Sequence, residues 1–166
     1  MIGNVFLGIG SNKGDRYAYI SRVVGLIDQN KRCDVVKCSS IYETSPYGRV
    51  IQANFFNAVI QIETSFTATE LFRCIKSIET LIGRKQIIKW GPREIDVDIL
   101  FYNSLIYNSD ELTIPHPEVL KRDFVITPMI EIAPDFVHPV QNMKMNDFDL
   151  AAVEEHIINK TNFQLS

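Results

Sequence analysis

The sequence has few cysteines and no excess of basic residues. Its three cysteines, Cys33, Cys38 and Cys74, form no CxxC pair. We therefore predict neither a disulfide framework nor a zinc site, and expect structural thiols in a cytoplasmic protein. Seventeen Lys and Arg stand against 20 Asp and Glu, for a net charge of −3. This balance argues against a protein that coats nucleic acid or an anionic membrane, but it allows a local site for a small anion.

Long apolar runs, repeats and linkers are also missing. No charge-free apolar run approaches the ~18 residues of a transmembrane helix. The apolar start, residues 1–11, lacks the basic n-region of a signal peptide, so we predict a first strand there. There is no internal repeat, low-complexity tract or Gly/Ser linker in the 166 residues, of which 46% are hydrophobic. These features predict a single domain, residues 1–166, with a sizeable core.

Two common phosphate-binding motifs are absent. The glycine-rich segment 8–14 has Lys13 where GxGxxG needs its third glycine, and no GxxxxGK[ST] occurs anywhere. A P-loop is therefore excluded, and the spacing does not support a dinucleotide site. We interpret residues 8–14 as a tight strand-to-helix turn.

Hydrophobic periodicity and capping signals predict the order β-α-β-β-α-β. Asp15 is placed to N-cap the first helix, and Thr67 with Glu70 forms a capping box for the second. This order predicts an α+β sandwich of the split βαβ kind, a mainly antiparallel sheet with helices on one face and the other face open for a ligand. The predicted strands are 4–11, 34–42, 55–63 and 95–102, the helices 15–29, 67–82, 117–121 and 147–159, with an extra hairpin at 105–107 and an edge strand at 124–130.

The segment 84–98 carries the strongest chemical signal. Cations at positions 84, 85, 89 and 93 lead into acids at 94, 96 and 98. On an alternating strand, Asp96 and Asp98 share a face and lie ~6–7 Å apart. Two such carboxylates repel unless a cation lies between them. Mg²⁺ is a natural candidate, with Arg84 and Arg93 serving the same polyphosphate. The alternative is a solvated strand face whose acids form salt bridges with the loop.

Three further groups suggest a binding site, each with a structural alternative. Trp90, the only tryptophan, is placed to cover an aromatic ligand or to cap the edge of the core. Asn57 beside Phe55 suits the edge of a flat heterocycle, or is a solvated amide. His116, with Arg122 nearby, suits phosphate binding at a helix start, or a capping or surface role.

Together these segments resemble the 6-hydroxymethyl-7,8-dihydropterin pyrophosphokinase family of folate-pathway enzymes. The most specific match is GPR-x-IDxDIL at 91–100, followed by L-x-IPHP at 112–117. The weaker matches, in order, are 8–15, 42–44, Pro46, Gly48, Gln52, Phe55, Asn57, 78–79, 83–84, 122–125 and 131–134.

The resemblance implies a ferredoxin-like fold and a reaction with ATP as co-substrate. The β,γ-pyrophosphoryl group would move to the hydroxymethyl oxygen of the pterin, with release of AMP. Asp96 and Asp98 would bind two Mg²⁺ ions, and Arg84 and Arg93 would stabilise the moving charge. The residues around the pterin would be Thr44, Tyr47, Phe55, Asn57, Trp90 and Phe124. Those on the ATP side would be Glu79, Arg84, Arg93, Ile99, Thr113, His116 and Arg122.

The chain departs from the usual family pattern at Lys76, Gln86 and Lys89, where an amide or an arginine is frequent. Two rival functions remain. An RNA-binding module is disfavoured by the acidic charge and the lack of paired RNP aromatics, whereas a nucleotide-binding regulatory module without turnover stays open. The resemblance also allows fusion to, or action with, dihydropteroate synthase.

Overall fold

The computed structural model describes residues 1–48, 51–85 and 91–166. Its strands are β1 Gly3–Ser11, β2 Cys33–Cys38, β3 Tyr42–Thr44, β4 Phe55–Thr64, β5 Asp96–Tyr102, β6 Tyr107–Asn108, β7 Thr113–Ile114 and β8 Ile157–Lys160; its α-helices are α1 Arg16–Asp28, α2 Ala68–Ile82 and α3 Asp123–Ile132. Short 3₁₀ helices lie at Val119–Lys121, Met145–Asp147 and Leu150–Ala152.

The first two helices begin and end at their predicted capping residues. The Asp15 carboxylate accepts a hydrogen bond from the backbone N–H of Ala18 at 3.0 Å. Thr67 and Glu70 form the reciprocal capping box that satisfies two free backbone donors at the start of α2. Gly83 ends α2 at φ 109°, a left-handed conformation that glycine adopts without steric cost. Both predictions are confirmed.

The main sheet is antiparallel and follows the order β5-β1-β4-β3-β8, with β2 also paired to β4. Residues 34–42 were predicted as one strand, but β2 and β3 are separate strands that pair with successive parts of β4. Taken together as one interrupted edge, they complete the order of a ferredoxin-like sheet, and the predicted α+β class is confirmed.

Two apolar cores lie on opposite faces of this sheet. The first packs α1 and α2 against β1, β4 and β5, and includes the predicted core residues from Phe56 to Ile62. The second packs α3 against Phe6, Val59 and Leu100 on the other face. That face is therefore covered over part of its length, and only the remainder is open.

The predicted edge strand at 124–130 is wrong, because this segment is α3. Pro128 lacks a backbone donor and normally costs ~3 kcal/mol inside a helix. Most side chains of α3 are nevertheless buried, Phe124, Ile126 and Met129 among them. Burial of this apolar helix outweighs the missing hydrogen bond.

The C-terminal helix and the hairpin were also predicted wrongly. The Asp149 side chain accepts from the N–H of Ala151 and caps only the short 3₁₀ helix Leu150–Ala152, and the chain then forms β8 against β3. The 105–107 segment does turn back, but β6 pairs with β7 rather than with β5. The helix expected from Pro117 is a shorter 3₁₀ turn. Across 1–48, 51–85 and 91–166, no helix has the length and apolar character needed to span a membrane.

Candidate active site

A cavity of about 460 Å³ opens on the uncovered part of the sheet, beside α3. Its floor is the central strand β1, where Gly8 and Gly10 face the cavity without side chains. The other described residues around it are Ile9, Thr44, Ser45, Tyr47, Gln52, Phe55, Asn57, Ala58, Lys76, Arg84, Arg93, Asp96, Asp98, Leu100, His116, Pro117, Glu118, Arg122, Phe124 and Val125.

The cavity has a half lined by neutral polar and aromatic groups and a half lined by charged groups, and Gly10 lies between them. Its strand partners are Asn57 on β4 and Asp96 on β5. A Cβ at position 10 would lie 2.5 Å from the Asn57 Oδ1 atom, closer than real contacts allow. The glycines interpreted above only as a turn therefore also let the Asn57 amide lie across the floor.

One half is lined by neutral polar and aromatic groups. The Asn57 Nδ2 donates to the Thr44 hydroxyl at 2.8 Å, which fixes the orientation of the amide. The rings of Tyr47 and Phe124 lie edge to face with centroids 6.4 Å apart. The Arg122 guanidinium lies 4.9 Å from the Tyr47 ring centroid, within cation–π distance. Such a wall suits a flat heterocycle with hydrogen-bonding edges.

The other half holds the predicted charged residues. Arg84 Nη1 donates to Asp96 Oδ1 and Arg93 Nη1 donates to Asp96 Oδ2, each at 2.9 Å. Burial alone would raise the pKa of Asp96. The two guanidinium groups and Lys76 reverse this effect, so the pKa of Asp96 is below its ordinary value. Asp96 is therefore a carboxylate that holds two arginines at the cavity.

Asp98 behaves in the opposite way. Burial, followed by repulsion from Asp96, raises the pKa of Asp98 to about 7. His116 Nε2 lies 3.8 Å from Asp98 Oδ2. Burial and the charge of Arg122 lower the pKa of His116 to about 4, so the ring is neutral near pH 7. Since its Nδ1 accepts from the N–H of Glu118, the remaining proton sits on Nε2, facing Asp98.

Glu79 supports the charged half from behind. It is only 2% exposed, its Oε1 accepts from the N–H of Val97 at 2.7 Å, and its Oε2 accepts from Arg84 Nη1 at 3.0 Å. It is not among the described lining residues, so it reaches the cavity through Arg84. Lys76, one turn earlier on α2, forms an ion pair with Glu79 and does line the cavity.

Besides Glu79, two predicted ATP-side residues lie away from the cavity, and one predicted pterin residue is outside the described part of the chain. Ile99 is buried in the first core, and the Thr113 hydroxyl donates to Asn108 Oδ1. Neither is among the described residues that line the cavity. Trp90 and the departures Gln86 and Lys89 fall outside the described residues.

Sequence reasoning missed several residues that complete the site. Buried Asn12 connects two segments at the rim of the cavity, one that contains Gln52 and one that contains Arg93. Its Nδ2 donates to Gln52 Oε1 at 2.7 Å, and its Oδ1 accepts from the N–H of Arg93 at 2.9 Å. Glu118 accepts from the Tyr47 hydroxyl at 3.3 Å. Asn12 directly follows the glycine-rich strand, which was the available signal. Nothing local marked Glu118, because its partner is 71 residues away.

Known proteins resemble this chain over nearly the whole described site. The profile of the 7,8-dihydro-6-hydroxymethylpterin-pyrophosphokinase (HPPK) family matches residues 6–134. The 2-amino-4-hydroxy-6-hydroxymethyldihydropteridine pyrophosphokinase of Aquifex aeolicus is 40% identical over 147 residues, 89% of this chain and 91% of that protein. The protein of the same name from Bacillus subtilis is 41% identical over 127 residues, 76% of each chain.

Relatives also include longer proteins. The bifunctional protein FolKE of Lactococcus lactis is 34% identical over 157 residues, which span 93% of this chain and 45% of that protein. Among solved structures, Plasmodium falciparum HPPK-DHPS wild type with pteroate has a TM-score of 0.70 at 16% identity, over 88% of this chain and 41% of that one. The structural match supports the fold, and the profile with the sequence relatives shows that this chain belongs to the HPPK family.

Proposed function

We infer that this chain is a pyrophosphokinase that transfers the β,γ-pyrophosphoryl group of ATP to 6-hydroxymethyl-7,8-dihydropterin. The products are the pterin diphosphate and AMP, in a step of tetrahydrofolate biosynthesis. The observation that carries this conclusion is the family match over residues 6–134, together with a relative 40% identical over about nine tenths of both chains and named as this enzyme. The non-catalytic alternative is not favoured.

We assign the neutral half of the cavity to the pterin. Asn57, held by Thr44, would offer its amide to the ring edge, where paired donors and acceptors discriminate strongly. Phe55 and Phe124 would lie against the ring faces, with Tyr47 completing the wall. Trp90 is proposed to cover the bound ring.

We assign the charged half to the triphosphate. Arg84, Arg93 and His116 lie beside the two acids of this half, and Arg122, packed on the Tyr47 ring, would reach the triphosphate from the boundary with the neutral half; guanidinium groups match phosphate oxygens in geometry and charge. Glu79 would act by holding Arg84. Contacts of Ile99 and Thr113 with the nucleotide stay predictions.

The residues present fit a divalent cation beside the triphosphate. Asp96 and Asp98 face the same cavity from one strand, and the pKa of Asp98 is raised by desolvation and then by the neighbouring charge of Asp96, so a cation at this position would stabilise its charged form. In the described chain, no three His, Cys, Asp or Glu side chains gather into a complete metal site, so phosphate oxygens and water would supply the other ligands. We propose that Asp96 and Asp98 hold two Mg²⁺ ions, which when bound neutralise phosphate charge and polarise the reacting oxygens.

The reaction depends more on the positioning of the two substrates than on covalent chemistry by the protein. A bond forms between the hydroxymethyl oxygen and the β-phosphorus, and the hydroxyl proton is lost to solvent, while the bond from that phosphorus to the α,β-bridging oxygen breaks and AMP leaves with the electron pair. Arg84 and Arg93 would stabilise the negative charge that grows on the leaving α-phosphate. Because the pterin and triphosphate halves meet at Gly10, the two reacting groups are brought together above this glycine.

Measurement of AMP with and without the pterin tests this function. Purified protein with ATP and Mg²⁺ should release AMP only when 6-hydroxymethyl-7,8-dihydropterin is present, and addition of EDTA should stop it. Release of ADP, or AMP formation at the same rate with and without the pterin, would exclude the proposed reaction.

Two broader expectations stay proposals. We propose cytoplasmic residence, which rests on the scarcity of cysteine. We also propose joint action with another folate enzyme, because HPPK-DHPS and the bifunctional protein FolKE are examples of longer relatives with more than one activity.

A further inference from the structure

The segment after the family match contributes to the neutral half of the cavity. The HPPK profile ends at residue 134, yet β8 pairs with β3, the strand that carries Thr44. Just before β8 stands His156, which is 6% exposed. Its ring lies 5.4 Å from the Tyr47 ring and 6.0 Å from the Phe124 ring, measured between centroids. A residue outside the matched region therefore backs both aromatic residues of the wall.

Hydrogen bonds fix His156 to the segment after β3, which carries Tyr47, and to α3, which carries Phe124. On the β3 side, its Nδ1 lies 3.0 Å from the Ser45 Oγ, and its backbone carbonyl accepts from the N–H of Ser45 at 2.8 Å. On the α3 side, Asp123 Oδ2 accepts from the N–H groups of His156 and Ile157 at 2.8 Å each. Ser45 and Asp123 are two residues and one residue away from Tyr47 and Phe124, so a shift of His156 would move both ring positions.

We propose that His156 is a positioning residue for pterin binding, acting through Tyr47 and Phe124. This inference rests on the proposed assignment of the neutral half to the pterin. His156 does not belong to the lining as described, so it affects the ligand only through the wall. The charged half takes its support from Glu79 on α2 instead, so nucleotide binding should depend on His156 only weakly, through Arg122, which packs on the Tyr47 ring.

Separate binding measurements for the two substrates test the proposal. The dissociation constants of 6-hydroxymethylpterin and of α,β-methylene-ATP with Mg²⁺ are measured for the full chain and for His156→Ala. The variant should bind the pterin at least about tenfold more weakly, about 1.4 kcal/mol, with nucleotide affinity within about twofold. His156→Asn, whose amide can replace the hydrogen bond to Ser45, should recover most of the loss. In a double variant with Tyr47→Ala, the two pterin losses should be less than additive, because His156 acts through that ring.

His138→Ala is the matched control. His138 is also a buried histidine whose Nδ1 accepts backbone N–H groups, but it packs on Phe101 and Phe148, outside the cavity lining. It should lower the melting temperature and leave the ratio of the two affinities unchanged. If His156→Ala does not fold, Ser45→Ala removes the same hydrogen bond and should show the same selective loss.

Three results would overturn the positioning role: normal pterin affinity in a folded His156→Ala, equal losses for both ligands, or no recovery by His156→Asn. A wild-type protein that fails to bind the pterin would instead contradict the proposed function, and the role of His156 with it. The wild-type measurement thus separates the two failures.

Discussion

Replacement of Gly10 with alanine would place a methyl group against the amide that we assign to the pterin. The new Cβ would lie 2.5 Å from Asn57 Oδ1, whereas ordinary contact begins near 3.4 Å, so the oxygen must move by about 0.9 Å, the difference of the two distances. The Asn57 amide is tied to Thr44 by one 2.8 Å hydrogen bond, and that movement would break or misdirect it. A lost or misaligned hydrogen bond at a buried edge costs about 1–3 kcal/mol, so Gly10→Ala should bind the pterin about 5- to 150-fold more weakly.

The effect should be specific to one half of the cavity. The nearest atoms to the new methyl group belong to Asn57 and Phe55, and none belongs to the charged half. Titration calorimetry with the pterin and with a nonhydrolysable ATP analogue should therefore show a loss for the pterin alone. Normal pterin affinity in Gly10→Ala, or an equal loss for both ligands, would refute the assignment of Asn57.

Two other glycines provide controls. At Gly25 on α1, a Cβ would meet no atom within 4 Å, so Gly25→Ala should stabilise the protein by about 0.5–1 kcal/mol and leave both affinities unchanged. At Gly8, a Cβ would lie 3.3 Å from the flexible Leu100 side chain, so Gly8→Ala should have a smaller effect than Gly10→Ala. This ranking is checked by thermal melts alongside the calorimetry.

The remaining predictions concern the acids and the amide of the cavity. Asp96→Asn and Asp98→Asn should each fold, and each should lower turnover by about 10²–10³-fold, or about 3–4 kcal/mol. Each substitution removes a negative charge that would hold the Mg²⁺ ions against the triphosphate. Asp34→Asn changes an exposed strand residue and should keep turnover within about twofold of the wild-type value. Near-normal AMP release by either cavity variant would contradict the metal site. Since the pKa of Asp98 is raised to about 7, the metal-free folded protein keeps a proton that the unfolded chain loses near pH 4, so the Asp98 contribution to the free energy of unfolding should fall between about pH 4 and 7 as pH rises, whereas the lowered pKa of His116 makes an opposing contribution over much of this range. Urea titrations of Asp98→Asn should lack this contribution, and an unchanged pH slope would contradict it. Asn57→Ala should weaken pterin binding by about 1–3 kcal/mol with nucleotide binding nearly intact, and equal calorimetric losses would count against its role.

Local signals in the sequence predicted the elements that depend on local structure. Capping residues set the bounds of the helices: Asp15 begins α1, Thr67 begins α2 and Gly83 ends α2. The sequence predicts them because capping is decided within a few residues. The alternation from Asp96 to Leu100 correctly placed the two acids on one face, opposite Val97. Period-two patterns fix the facing of a strand without any tertiary information.

Elements decided by long-range packing were predicted wrongly. Pro128 indicates an edge strand when read locally, yet α3 forms because the sheet face opposite α1 and α2 must be covered. Residues 157–160 form a strand only because β3 offers a free edge more than 100 positions earlier in the chain. The second face of the sheet was therefore predicted to be more open than it is.

The same distinction applies to the site. Arg84, Arg93, Asp96 and Asp98 lie within one segment, and their type and spacing indicated phosphate chemistry before the fold was known. Lys76 and Glu118 come to the cavity from other elements, with no local pattern that marks them. Resemblance to a family supplied roles for Thr44 and Phe124 that residue patterns alone did not.

Isotope transfer tests the central claim most directly. Reactions with ATP labelled at the α-, β- or γ-phosphate are run with 6-hydroxymethyl-7,8-dihydropterin and Mg²⁺, and the products are separated. The account predicts β and γ label on the pterin in equal amounts, with all α label in AMP. Label from γ alone on the pterin, with ADP as the other product, would contradict pyrophosphoryl transfer.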